Sequence, residues 1–336
     1  MNRYVGLDKP KGPGYFLFWK CVFVALLIGF GWFVYGASSA VEYVWRWERI
    51  PQYFWLNETV DVRAESEGDL VSVARHGNEI VLTMLSDGHD IVRRIPGDAQ
   101  MHLSQGDFVY IGDSLATYHQ SKPGVLLEGL WVTLQVSLVA IVFGIVLGVM
   151  TGLCRISVNP ALRWLAVTYI ELIRGSPLLV QIFLWYFVAG TLINGVLQNI
   201  GLGAMPPLWY GVLALAIFTG AYVAEIVRAG IQSVHRGQME AARSLGLTYA
   251  QAMRRIVLPQ AFRRILPPLA GQFISLIKDS SLLGVIAVRE LTKATREVVS
   301  SSLQPFELWI LCALLYLVLT FTLSVLIQQL ERRALR

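Results

Sequence analysis

Residues 129–154 read GLWVTLQVSLVAIVFGIVLGVMTGLC, a run of 26 residues without a charged side chain. A helix needs about 20 apolar residues to cross the ~30 Å hydrocarbon core of a bilayer, so this run is long enough to span one. A surface helix of a soluble domain would keep one polar face, and this run has none. The stretch therefore predicts a transmembrane helix.

Apolar segments of comparable length occur elsewhere, at residues 21–41, 175–224, 265–288 and 308–330. The 50-residue run at 175–224 is too long for one helix and is interrupted by Pro206 and Pro207, so it predicts most of two spans. The run at 265–288 contains only Lys278 and Asp279 as charges. We expect an all-α integral membrane protein with six transmembrane helices.

The first run, 21–41, is followed by small residues and could be a signal peptide. Apolar regions of signal peptides are usually about 7–15 residues long, and this run is longer. A retained helix is favoured, and cleavage is left open. Residues 1–20 are then a cytoplasmic N-terminus.

The charges are distributed asymmetrically. Residues 42–122 hold 7 Lys/Arg against 13 Asp/Glu, a net of −6, although the whole chain carries +5. Most of the other basic residues fall on one side of the predicted topology: Arg3, Lys9, Lys11, Lys20, Arg155, Arg163, seven arginines between 225 and 264, Arg332, Arg333 and Arg336. The short loops predicted on the opposite side, 190–208 and 289–307, hold none and three. The positive-inside rule therefore predicts two cytoplasmic termini in a bacterial inner membrane. The basic balance indicates contact with anionic lipid and not with nucleic acid.

Residues 42–122 form the only sizeable predicted soluble domain, on the periplasmic side. Residues 80–85 and 108–111 have strand composition. Turn signals lie between and beside them, at Asp87-Gly88, Pro96-Gly97 and Gly106-Asp107. We expect a small β-rich domain, whose role as a docking scaffold or an inert decoration stays open.

The chain carries no motif for catalysis, nucleotide or metal. It has no Gly-x-x-x-x-Gly-Lys-Ser/Thr phosphate loop and no His-Glu-x-x-His, and its five histidines are scattered. Its three cysteines lie in or beside apolar runs, which indicates neither a disulfide framework nor a thiolate site. We predict no enzyme activity, cofactor or metal, so any ATP that drives this protein must bind another chain.

The segment 235–264 is the longest predicted cytoplasmic connection. It contains a spaced set of residues: Glu240, Ala241, Ala242, Gly246, Ile256, Leu258 and Pro259. Gly246 suits the left-handed position that ends a helix. Thr248 and Gln251 have the spacing of a capping box that begins the next helix, and Pro259 ends that helix or marks its junction. The segment predicts two short helices joined by a sharp bend.

Small and apolar side chains make this segment suitable for docking. Ala241 and Ala242 would permit close approach of a partner, and the apolar anchors are Met239, Leu245 and Leu247. A short amphipathic helix with such anchors fits into a groove of another protein.

The spacing Glu-Ala-Ala, three residues, Gly, nine residues, Ile-x-Leu-Pro resembles the signature of permease subunits of binding-protein-dependent ATP-binding-cassette importers. Further stretches resemble the polar amino acid branch (histidine, glutamine and glutamate type), namely 171–181 (ELIRGSPLLVQ), 221–228 (AYVAEIVR), 237–238 (GQ), 258–261 (LPQA) and 278–282 (KDSSL). The resemblance covers residues 125–331, a core of five predicted transmembrane helices. Members of this branch usually have five helices, whereas a sixth helix and the 42–122 domain precede the core here.

The resemblance implies a set of partners. The 240–259 loop would couple to a separate ATPase subunit, a second permease subunit (identical or paralogous) would complete the pathway, and a periplasmic solute-binding protein would deliver a polar amino acid. Acidic, basic and amide side chains remain open for that solute.

An ion-coupled secondary amino acid carrier with Asp279 as its titrating group is the alternative, but it leaves the loop unexplained. A membrane-anchored sensor would need a cytoplasmic signalling module, which the sequence lacks.

The run Lys278-Asp279-Ser280-Ser281 is the first candidate for the substrate pathway. A charge at the bilayer centre costs at least about 2.5–3.5 kcal/mol on insertion scales, so it usually faces protein or water. A snorkelling lysine and interhelical hydrogen bonds are the structural alternative.

Glu171 and Arg174 are further pathway candidates, because residues three apart can meet on one helix face. A helix break is expected directly after them, before Pro177. Gln181 and Gln272 are weaker candidates. Glu225, Arg228 and Arg243 are equally well explained as inner-leaflet anchors.

Overall fold

The structure is a computed structural model that describes residues 12–86 and 88–334, without the side chains of 331–334. Some residues named above lie outside the described residues: Arg3, Lys9, Lys11, Asp87 and Arg336, together with the side chains of Arg332 and Arg333. The chain forms two compact units, Met1–Trp47 and Glu48–Arg336.

The first unit consists mainly of helix α1, Pro13–Ala40. The helix starts with a proline in its first turn, where the missing N–H has no helical partner to lose. At the other end the indole N–H of Trp45 donates to Ser38 Oγ over 3.0 Å. The helix is apolar on all sides, as expected for a membrane span. It begins eight residues before the predicted start, so Lys20 lies inside it.

Within the described residues, six helices are long and apolar enough to cross a membrane, which confirms the predicted number. Five of them belong to the second unit: Val125–Arg155, Leu178–Asn199, Pro207–Gln232, Tyr249–Ile286 and Pro305–Leu330. The helices of this unit are α2 (Val125–Arg155), α3 (Pro160–Arg174), α4 (Leu178–Phe183), α5 (Gly190–Asn199), α6 (Pro207–Gln232), α7 (Arg236–Ser244), α8 (Tyr249–Ala252), α9 (Leu258–Asp279), α10 (Leu291–Ser302) and α11 (Pro305–Ala334). Two π-helical turns, Leu184–Ala189 and Met253–Val257, join α4 to α5 and α8 to α9.

Helices α2 and α6 form the centre of this unit. Gly144, Gly148 and Gly152 lie one turn apart on the face of α2 that packs against α6. A Cβ atom at Gly148 would lie 2.4 Å from Val223 Cβ and 2.8 Å from the carbonyl oxygen of Gly220. The two backbones therefore approach as closely as the small-residue interfaces of membrane helices allow.

The two segments predicted as plain outer loops are partly helical, so those loop predictions are corrected. Helix α5 extends to Asn199, which shortens the first loop. The second contains α10, whose buried residues recur at helical spacing: Leu291, Ala294, Thr295 and Val298. This amphipathic pattern is a signal that charge counting overlooked.

The strands form two antiparallel sheets, which we call the β domain (residues 55–123). They are β1 (Trp55–Arg63), β2 (Gly68–His76), β3 (Glu79–Ser86), β4 (His89–Pro96), β5 (Gln100–Met101), β6 (Phe108–Val109) and β7 (Ser114–Pro123). The strand orders are β1-β7-β5 and β4-β3-β2-β6. Leu70, Leu82 and Val109 are fully buried between them.

The predicted strand at 80–85 lies inside β3, but the one at 108–111 is largely wrong. Only Phe108 and Val109 pair, with Asp69 and Gly68. Tyr110 and Ile111 lie in a turn that is closed by the bond from the Asp113 N–H to the carbonyl of Tyr110 over 3.1 Å, and Gly112 within it has a φ of 93°. The turns at Pro96-Gly97 and Gly106-Asp107 are confirmed.

The β domain is joined directly to one end of the helical unit. Strand β7 runs into α2 through Gly124, whose N–H donates to the carbonyl of Phe54 over 2.7 Å. A Cβ atom at Gly124 would lie 2.3 Å from the carbonyl oxygen of Tyr53, so this contact requires glycine. Tyr53 and Phe54 pack against Leu126 and Leu291. The base of the domain is therefore fixed to α2 and α10.

Candidate coupling segment and pathway residues

The bend after α7 has the predicted geometry. Gly246 has a φ of 83°, the left-handed conformation expected of a residue that ends a helix. The N–H of Gly246 donates to the carbonyl of Arg243 over 3.0 Å, and that of Leu247 to Ala242 over 3.2 Å. These bonds satisfy carbonyls at the end of α7 and fix the direction in which the chain leaves.

The predicted capping box is also present. The Thr248 N–H donates to Gln251 Oε1 over 2.9 Å, and the Gln251 N–H donates to Thr248 Oγ1 over 3.3 Å. The helix that begins here does not stop at Pro259; Pro259 lies in the first turn of α9 and marks the junction with the preceding π-helical turn, which was the alternative prediction. The prediction of two short helices is corrected: the second is the beginning of a continuous helical segment, Tyr249–Ile286.

The residues of the coupling signature separate into exposed and buried sets. Glu240, Ala241, Gly246 and Pro259 are exposed, whereas Ile256 and Leu258 are half-buried and Ala242 is buried. Of the three predicted anchors, only Leu245 is exposed, with 83% of its surface accessible to a partner. Met239 packs against a buried cluster of its own chain that includes Val257.

The intramembrane charges lie at the end of a helix and do not interrupt one. Helix α9 ends at Asp279 and continues as a 3₁₀ turn, Ser280–Ile286. Ser280 is buried and donates to the carbonyl of Ile277 over 2.8 Å, so its hydroxyl is used by its own helix. Among the described residues, Lys278 and Asp279 form no ion pair within 4 Å, whereas Arg155 and Arg228 both pair with Glu225.

Lys278 and Ser281 line a cavity between α9, α10 and α11. The other walls are Thr292, Trp309, Cys312, Ala313 and Tyr316. Beneath it, the hydroxyl of Tyr316 donates to Glu290 Oε2 over 3.0 Å and lies 3.1 Å from Thr292 Oγ1. The cavity thus combines an ammonium group with hydroxyl groups that a polar solute could contact.

Glu290 is a buried acid that sequence reasoning missed. It caps the N-terminus of α10, where its carboxylate accepts the N–H groups of Thr292 and Lys293 at 2.7 and 2.8 Å. Burial raises the pKa of Glu290, and these hydrogen bonds oppose the shift. An acidic residue directly before the amphipathic pattern of α10 was the signal for it.

The structure separates Glu171 and Arg174 from the other pathway candidates. Both lie on α3, which is too short to be one of the six spans. They form no ion pair with each other within 4 Å in the described part of the chain: Glu171 approaches Arg155 at 4.0 Å, and Arg174 lies over the ring of Tyr222 at 5.3 Å. The Glu225–Arg155 pair, at 2.7 Å, is the stronger contact of this region.

The predicted helix break lies between α3 and α4, and Gln181 holds it together. Gln181 is buried, and its amide donates to the carbonyl of Ile173 over 2.7 Å and to Ser176 Oγ over 2.9 Å. These bonds satisfy backbone groups that the break frees. These contacts give Gln181 a structural role at the break.

The chain belongs to the family of binding-protein-dependent transport system inner membrane components, whose model matches residues 144–336. The match covers more than half of the chain and leaves out α1 and the β domain. The resemblance to permease subunits of binding-protein-dependent importers is therefore confirmed, and the comparisons favour such an importer over an ion-coupled carrier.

Two curated relatives are close in sequence. The probable glutamine ABC transporter permease protein GlnM of Bacillus subtilis (strain 168) is 46% identical over 207 residues, 62% of this chain and 92% of the relative. The glutamine transport system permease protein GlnP of Escherichia coli (strain K12) is 37% identical over 209 residues, with the same coverage.

Among solved structures, an amino acid ABC transporter crystallised with histidines is 42% identical, with a TM-score of 0.55 over 62% of this chain and 94% of that one. An inward-facing structure of the MetNI methionine ABC transporter, 20% identical with a TM-score of 0.53, shares the fold.

Proposed function

We propose that this chain is the permease subunit of an ATP-driven importer of polar amino acids and forms half of its pathway. The proposal rests on the helical connection between the exposed bend at Gly246 and the charges Lys278 and Asp279. One continuous helical segment, Tyr249–Ile286, begins beside Gly246 and contains Lys278 and Asp279. The names of the relatives, which include glutamine, cystine and arginine transport proteins, support an amino acid as the solute.

The exposed end of α7 is the surface we propose for the ATPase. Glu240, Ala241 and Leu245 lie on it, and the left-handed Gly246 turns the chain directly into the capped start of α8. A partner groove that holds this bend would move α8 and the helix continuous with it. Ala242, Ile256 and Leu258 would act by packing the bend onto its own chain.

The pathway proposal concerns the end of α9. Lys278 is exposed and Asp279 half-buried on a chain that would supply only one half of the path. Two unpaired charges at membrane depth would be costly unless they face water, solute or a second permease subunit. Two prolines, Pro267 and Pro268, lie in α9 between the bend and this site and remove two helical N–H donors, which gives the helix a place to flex.

The proposed topology places both termini in the cytoplasm and the β domain outside, because basic residues concentrate around the bend. A cysteine introduced at Gly88 should react with a membrane-impermeant thiol reagent added from outside, and one introduced at Tyr249 should not. Both positions are exposed. The reverse labelling pattern would contradict the topology and, with it, the coupling assignment.

The test of function is reconstitution of the complex in liposomes with its ATPase and solute-binding protein. We expect ATP-dependent uptake of at least one radiolabelled amino acid with an amide, acidic or basic side chain, competed by its unlabelled form. A matched complex with a Walker-motif mutant of the ATPase is the control. Uptake that persists in that control and follows a proton or sodium gradient would contradict the proposal.

A further inference from the structure

The β domain carries an exposed apolar patch that has no role in the permease described so far. Phe108, Tyr110 and Ile111 are 49%, 62% and 69% exposed. The rings of Phe108 and Tyr110 contact each other edge to face, with centroids 5.1 Å apart. We call these three residues the apolar tip. Contiguous exposed aromatic residues on a water-soluble domain usually mark an interaction site.

Hydrogen bonds hold the apolar tip in a fixed shape. The N–H of Ser104 donates to Asp107 Oδ2 over 2.7 Å, and that of Tyr110 donates to Asp113 Oδ2 over 2.9 Å. The N–H of Ala64 donates to the carbonyl of Asp113 over 2.9 Å, which ties the turn to the end of β1. A surface ordered in this way loses little conformational entropy when a partner binds.

The apolar tip lies at the end of the β domain that is farthest from the helical unit. Strand β1 pairs with β7 from Trp55–Pro123 at the base to Arg63–Ser114 at the far end. Nine strand residues at about 3.3 Å each place that far end roughly 30 Å from the start of α2. A partner that covers the apolar tip must therefore reach about 30 Å from the start of α2.

Acidic residues surround the apolar tip. Asp69 lies directly across the ladder from Phe108, and Glu67 and Asp107 are exposed nearby along the same connections, whereas Glu65 is paired with Arg93. Two copies of this surface would bring like charges together, and anionic lipid would repel it. An apolar centre with a charged rim is the anatomy of a protein–protein interface. The complementary partner is a protein whose apolar patch is bordered by lysine or arginine.

The base of the β domain determines which protein can reach the apolar tip. The base packs on the outer ends of α2 and α10 through Tyr53 and Phe54. A solute-binding protein bound to the outer end of the permease would lie directly beside the β domain. We propose that the apolar tip docks the solute-binding protein, an inference that rests on the outward orientation given under Proposed function.

The experiment uses the full complex in liposomes and measures uptake against the concentration of the binding protein that drives it. The tip variants are Phe108→Ser/Tyr110→Ser and, separately, Ile111→Ser. Val92→Ser on β4 is the matched control, because Val92 is 55% exposed but lies outside the apolar tip. We expect the double variant to raise the half-saturating concentration of binding protein about 10-fold, as loss of interface anchors commonly does. The maximal rate, the ATP hydrolysis without binding protein and the control should not change.

A photocrosslinking amino acid at Tyr110 identifies the occupant in the same liposomes. A crosslink to the binding protein supports the inference; a crosslink to a second copy or to lipid, or none at all, overturns it. Tip variants that retain the wild-type half-saturating concentration also overturn it. If the double variant fails to assemble, Ile111→Ser and the crosslink decide. Absence of binding-protein-dependent uptake in the wild-type complex would instead contradict the proposed function itself.

Discussion

The helical unit and the β domain of this chain use apolar residues in opposite ways. In the β domain the large apolar side chains are inside, as Leu70, Leu82 and Val109 show. In the helical unit many of them point outward: Leu317, Val318 and Phe321 of α11 are each more than 60% exposed, while the buried face of α2 carries glycine. Water drives large apolar groups inward, but lipid gives no such drive, so membrane helices associate through close backbone packing.

The strongest test of this contrast truncates the same residue type in both regions. Leu82→Ala should destabilise the β domain by about 2–5 kcal/mol, because it removes a fully buried side chain and leaves a cavity. Leu317→Ala on α11 should change stability little, because the lost side chain faced outward. Thermal unfolding of both variants in detergent, with hydrogen exchange to resolve the β domain, provides the measurement. Equal losses would show that α11 is covered by protein and not by lipid.

Replacing a small residue by a large one should be harmful in the helical unit. Gly148→Leu places a branched side chain where even a Cβ would lie 2.4 Å from Val223. We expect a loss of about 1–3 kcal/mol or more from overpacking, seen as a lower unfolding temperature and reduced assembly with the ATPase. Val146→Leu, on the exposed side of the same helix, is the matched control. A normally stable Gly148→Leu protein would contradict the proposed close approach of α2 and α6.

Gly246 is exposed at the bend, so its substitution should affect transport more than folding. Gly246→Val forces a β-branched residue into a left-handed conformation at a cost of about 1–2 kcal/mol. We expect normal membrane insertion but at least a tenfold loss of uptake in liposomes. Gly246→Asn, which tolerates this conformation better, should retain more transport. Near-normal uptake by the valine variant at wild-type expression would disprove the coupling role.

The smallest expected effects concern the charges at the end of α9. Asp279→Asn should lower uptake several-fold while the ATP hydrolysis of the assembled complex persists, because size and hydrogen-bonding capacity are kept. Lys278→Met should also lower uptake if the ammonium group contacts the solute. It should leave uptake unchanged if the side chain only extends to the membrane–water interface. Normal uptake in both variants would leave these residues structural. A loss of assembly would indicate an ion pair between subunits instead.

Local signals in the sequence were sufficient for several parts of the molecule. Five apolar runs predicted six spans: one run was long enough for two helices, and one contained only Lys278 and Asp279 as charges. These spans were predictable because crossing a bilayer requires length and apolarity within one segment. The left-handed Gly246 and the capping box of Thr248 and Gln251 were predictable because each depends on residues at most three apart. The family also followed from spacing within one loop.

What depends on contacts between distant residues was decided only by the tertiary structure. The amphipathic spacing of α10 was a local signal, but its packing partner was not: α10 is buried against α2 by residues more than 150 positions away, as the bond from the Leu291 N–H to Thr133 Oγ1 shows. Arg155 was counted only toward the charge asymmetry, yet it pairs with Glu225, 70 positions away. The sequence by itself determined which segments enter the membrane, since that is a property of each segment. Which charges meet, and which stay unpaired, depends on how the segments pack.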